Sequence, residues 1–126
     1  MADMTPDTTV NGISRFQTKD ATPTVLLDVP LSPGGNCTVE VTVTGVQVGG
    51  TGRFRDSRVV DVYCPLSGAP TVDATTAPVV INNPSTWPTL TIAANLVGGI
   101  YHLQVSPTGV AATTINWSGT YRSLSV

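Results

Sequence analysis

The chain has 126 residues, a length that fits one domain with a core large enough to need neither metals nor several disulfides. Six Lys and Arg against eight Asp and Glu give a formal charge of -2, so the basic footprint required by nucleic acid or an anionic membrane is missing. Charged residues make up 11%, and Lys19, Glu40 and His102 are each alone of their type. Proton-transfer and nucleophilic chemistry draws on such groups in clusters, so the composition argues against an enzyme. Thr and Val fill 20 and 18 positions, an excess of β-branched residues that suits strands.

No apolar run approaches the roughly 20 residues of a membrane helix. The opening M-A-D-M-T-P-D is polar and acidic where a secretion signal is basic and then apolar, so synthesis in a cytoplasm without a cleaved signal is expected. Residues 1–12 carry Pro6 and Gly12 and show neither strand nor helix period. They are expected to form an N-terminal arm outside the core, leaving residues 13–126 as a β-sandwich domain.

Residues 13–17 alternate apolar with polar, and residues 24–29 form a short apolar stretch closed by Pro30 and the turn cluster S-P-G-G-N at 32–36. The clearest period lies at residues 37–44. There Cys37, Val39, Val41 and Val43 share one side, and Thr38, Glu40, Thr42 and Thr44 share the other. The glycine-rich segment 45–52 reads as a hairpin tip that returns in a strand over residues 53–64. Five prolines at 65, 70, 78, 84 and 88 predict an extended excursion with one short edge strand around Val79, Val80 and Ile81. Strands over 89–94, 100–106 and 114–124 follow, with turns at 95–99 and 106–109. Short strands about every ten residues, with no helical period, predict an all-β antiparallel sandwich of Greek-key or jelly-roll type.

A hairpin symmetric about Gly50 and Thr51 pairs Cys37 with Cys64, which is either a cross-strand disulfide or two buried thiols. No CxxC or companion His spacing marks a metal site, and no catalytic constellation or cofactor loop is present in the sequence. The cluster around Arg53, Arg55 and Arg58 contains Asp56, so it reads as a solvated, partly paired strand end beside the alternative of a binding patch. His102 reads as a surface or interface histidine. Trp117, between Ile115 and Gly119, is expected in the core; Trp87, in a proline-flanked loop, is either a lid over the sandwich end or an exposed contact.

Two stretches are similar to known proteins. Residues 17–27 (QTKDATPTVLL) and 112–120 (ATTINWSGT) resemble the opening and closing segments of small β-domains in structural proteins of tailed bacteriophages, of capsid-decoration and tail-fibre type. In those domains a phrase like T-D-A-T-P-T leads into the first core strand, V-T-G precedes a Gly-rich loop, and T-I-N-W sits in the last strand. Here Val43-Thr44-Gly45 falls at the corresponding place, and the chain departs from the pattern in its proline-rich residues 65–88. The resemblance spans residues 17–122 and brings no catalytic or metal residues with it.

It implies a virion structural protein, made in the host bacterial cytoplasm and assembled on the particle exterior. The leading expectation is a capsid decoration or cement protein that binds and stabilises the major capsid protein shell, as a lattice-bound monomer or a homotrimer. The alternative is a tail or head-fibre component acting as a host-surface glycan-binding module, with Trp87 in an aromatic groove. Partner contacts are expected at Met4, Pro6, Val10, Ile13, Arg53, Arg55, Val80 and Trp87.

Overall fold

β-Branched residues in alternating runs, broken by Gly, Pro and Asn, fold as nine strands among the described residues: β1 (Thr8–Thr18), β2 (Leu27–Pro30), β3 (Gly35–Gln47), β4 (Arg53–Cys64), β5 (Thr71–Thr75), β6 (Val79–Asn83), β7 (Thr91–Val97), β8 (Ile100–Ser106) and β9 (Ile115–Ser125). The structure is a computed structural model that describes residues 8–75, 79–88 and 90–125, and no helix occurs among them.

One sheet runs β1-β9-β3-β4-β5, with β6 also on β4; the other runs β2-β8-β7. All pairings are antiparallel. The consecutive strands β3, β4 and β5 are joined by β9, which returns through the second sheet to lie beside β3, a Greek-key order. The expected all-β antiparallel sandwich is the fold of this chain.

The core lies between the two sheets. Val39, Val41 and Val43 of β3 and Val60 and Val62 of β4 meet Leu27 and Val29 of β2 and Leu103 and Val105 of β8, all essentially without solvent exposure. Each such side chain contributes about 1.5–3 kcal/mol by leaving water. At Gly119 a Cβ would stand 2.8 Å from Leu26 Cδ2 and 3.1 Å from Leu27 Cγ, so the bare backbone admits these two leucines at the start of β2.

Several boundaries differ from the sequence expectation. β1 begins at Thr8, so Thr8 to Gly12 belong to a strand rather than to an arm; they pair with Tyr121–Ser125 through the backbone, which needs no side-chain period. Residues 1–7 of the expected arm, with Met4 and Pro6, lie outside the described residues. The excursion 65–88 holds two edge strands, not one: β5 and β6 line up end to end along β4, with a register shift between Val60 and Val62. β7 extends to Val97 because its turn is only Gly98-Gly99, both at positive φ (59° and 86°), the geometry a two-residue hairpin loop requires.

The β3–β4 hairpin is also registered two residues away from the expectation. Gly35 faces Cys64, and Cys37 faces Val62. The tip fixes this: the Gln47 N–H donates to the Gly52 carbonyl at 2.9 Å, the Gly52 N–H donates to Gln47 Oε1 at 3.1 Å, and Gly49 takes φ 73°. A shift of two keeps every side chain on its expected face.

Candidate interaction surface

The register moves the two cysteines apart along the inner face. Offset by two positions, Cys37 and Cys64 are diagonal neighbours, about 7–8 Å apart, where a disulfide needs Cβ atoms about 3.8 Å apart. Both are buried thiols outside any disulfide, and Cys37 Sγ lies 2.9 Å from Ser123 Oγ. Burial pushes the Cys64 thiol up, and the neighbouring Cys37 adds to the shift. Its contribution to stability is therefore complete below the range of an unfolded thiol, about 8.5, and is lost as pH rises through the higher folded value. We expect iodoacetamide at pH 8 to modify neither cysteine in the native protein and both in urea. Intact-mass measurement checks this, and a native mass lower by two hydrogens would establish a disulfide instead.

Asp56 and Arg58 depart from the solvated strand end expected of their cluster. Both lie on the inner side of β4, where Asp56 is fully buried and binds Arg58 through two contacts: Arg58 Nε donates to Oδ1 at 2.9 Å, and Nη2 donates to Oδ2. This holds the Arg58 guanidinium above its ordinary value, chiefly by hydrogen bonding to Asp56. His102 lies on the outer side of the second sheet, with Nδ1 2.7 Å from Asp28 Oδ1. Among the described residues Asp56–Arg58 is the ion pair of formally charged side chains, His102–Asp28 is a hydrogen-bond contact, and no group of three or more His, Cys, Asp or Glu could hold a metal.

Trp87 is buried as a lid. Its side chain is 5% exposed and covers Gly52, where a Cβ would come within 2.3 Å of the indole. Asn82 Nδ2 donates to its carbonyl at 2.6 Å. It closes one end of the sandwich rather than standing exposed in an aromatic groove.

The other contact candidates gather differently. Period 2 sends Ile13, Arg15 and Gln17 of β1 to the outer face of the large sheet, together with Asn116 and Ser118 of β9, Thr44 and Val46 of β3, and Arg53 and Arg55 of β4. Cross-strand register aligns Arg15, Ser118, Thr44 and Arg55 in one row and Gln17, Asn116, Val46 and Arg53 in the next. Between Arg15 and Gln17 of β1 and Thr44 and Val46 of β3, the small Ser118 leaves a shallow trough of about 580 Å³. Gln17 Nε2 donates to Asn116 Oδ1 at 2.8 Å along it.

No carboxylate occupies these two rows, and the three arginines make no ion pair among the described residues. Ile13, Val46 and Ile81 stand exposed around them at 66%, 49% and 46%. Val80, also exposed, lies on β6 at the margin, and Val10 takes a backbone position in β1 opposite Ser123. Sequence reasoning had Arg53 and Arg55 but missed Arg15, which only the strand order brings to the same face.

No protein-family model and no curated protein matches the chain. Among solved structures, the chain is similar to part of the tailspike protein of Acinetobacter baumannii phage AM24, with a TM-score of 0.46 and 11% identity, over 92% of this chain and 26% of that one. This chain therefore spans about a quarter of that protein, and the likeness carries no inference about activity or partners.

Proposed function

We propose that the chain is a non-catalytic structural module of a tailed-phage virion, attached as a decoration protein to the shell of major capsid protein through the outer face of its large sheet. The observation that carries this reading is the arginine end of that face. Arg15, Arg53 and Arg55 stand there without a carboxylate, among exposed Ile13, Val46 and Ile81. Arginine beside exposed aliphatic side chains, with lysine and carboxylates scarce, is the composition of a surface that meets another protein. A partner surface rich in Asp and Glu fits it. The resemblance of residues 17–27 and 112–120 to phage structural β-domains supports the virion setting.

The test is the copy number of the chain per purified particle relative to the major capsid protein, by quantitative mass spectrometry. Hundreds of copies are expected. Arg53→Glu with Arg55→Glu, both exposed, should lower that number at least tenfold, at an unchanged thermal midpoint. About a dozen copies or fewer would overturn the shell assignment in favour of a tail or fibre position, and none would remove the chain from the virion.

A further inference from the structure

The large sheet ends at β1, which pairs only with β9 among the described residues and leaves its other backbone edge open. An open edge is a template for another strand, and proteins usually blunt theirs by shortness, proline, bulges or lysine. The other edges are shorter. β2 has four residues and ends in Pro30, β5 and β6 have five each with a register shift where β5 meets β4, and β7, the far edge of the small sheet, has seven. β1 has eleven residues, all in unbroken register with β9, with no proline or lysine and a single charge at Arg15.

We propose that β1 pairs antiparallel with β1 of a second copy of this chain, joining the two large sheets across a two-fold axis through Ile13. The choice of a second copy rests on self-complementarity. Ile13 is the central residue of Thr8–Thr18, so a two-fold there overlaps all eleven residues of both strands. It sets Ile13, which is 66% exposed in one chain, against Ile13 of the second copy. Directly opposed apolar pairs of this kind stabilise a sheet. The same axis sets Arg15 opposite Asn11 of the second copy, and Phe16 opposite Val10, so no like charges meet. A two-fold displaced to residue 15 would oppose two guanidiniums and shorten the overlap, which selects the register centred on Ile13. Such an interface is isologous and closes at two copies. It does not rest on what the outer face binds, although Ile13 borders both surfaces.

The register is tested by disulfide trapping in the otherwise native chain, whose own thiols are buried. Ile13→Cys is expected to form a covalent dimer on mild oxidation. Asn11→Cys and Arg15→Cys should each remain uncrosslinked alone and crosslink when mixed. Sedimentation of the unmodified chain, at a loading on the order of 100 µM because a single-seam interface lies at the weak end of the size range, should give the dimer mass. Ile13→Lys, which opposes two ammonium groups across the axis, should give the monomer mass with an unchanged thermal midpoint. Monomer or trimer mass for the unmodified chain, or self-crosslinking at position 15 equal to that at position 13, would overturn the proposal.

Discussion

Trp117→Ala is expected to lower stability by about 3–5 kcal/mol, the range for removing a buried aromatic side chain, and the thermal midpoint by roughly 10–20 °C. The indole is 2% exposed and lies on the inner face of the large sheet beside β1, β3 and β4. Its edge meets Phe54 with ring centroids 5.5 Å apart at 70°, and its Nε1–H donates to Thr18 Oγ1 at 2.9 Å. The ring rests on Gly45, where a Cβ would come within 2.6 Å of it. Alanine therefore leaves a void that neighbouring side chains cannot fill, because the residue beneath has none to offer. Trp117→Phe keeps a ring over Gly45 and loses the donor to Thr18, so it should cost well under half as much. Thermal and urea unfolding of both variants checks the order, and equal losses would mean that the hydrogen bond rather than the ring matters.

The second large effect is expected at the inward ion pair. Arg58→Ala leaves the carboxylate of Asp56, fully buried opposite Val43, without its two donors. Removing one partner of a buried pair costs about 3–5 kcal/mol because the other charge stays buried and unmatched. Part of Arg58 reaches solvent, with 17% of its side chain exposed, so the reverse change Asp56→Ala should cost less, the guanidinium turning toward water. The double variant Asp56→Val with Arg58→Met removes both charges from a face otherwise built of Phe54, Val60, Val62 and Cys64. It should recover to within about 1 kcal/mol of the parent or exceed it. A double-mutant cycle read by urea midpoints measures the coupling, and a double variant as unstable as Arg58→Ala would refute the electrostatic account.

What the sequence made legible was burial. The alternation at Cys37, Val39, Val41 and Val43 marked the inner face of β3, and Ile115 and Trp117 marked that of β9, because the strand period alone decides which side chains meet the core. Register was hidden, since Gly49, Gly50 and Gly52 all permit the turn and the deciding bonds come from Gln47. β5 was hidden because an edge strand held by backbone pairing needs no apolar stripe; Val72 is its residue seen to pack against the core. The inward placement of Asp56 and Arg58 was read as surface because charge overrides period in a local reading, although the period was correct. The arginine face was half visible: Arg53 and Arg55 are neighbours in the chain, whereas Arg15 joins them only through the order β1-β9-β3-β4.

That order also governs when the large sheet can exist. Among the described strands β1 is synthesised well before its partner β9, with Thr8 opposite Ser125. Until β9 is made, β1 lacks the strand it pairs with among the described residues, and β3 carries only β4. The sheet is therefore completed by its most sequence-distant contact, the situation in which loop closure comes before any compensating pairing and folding is slow. During that interval β1 is an eleven-residue, proline-free segment without its partner. A ribosome-bound nascent chain is thus exposed to association through β1, and a chaperone acting on this protein would do most by covering β1 until β9 arrives.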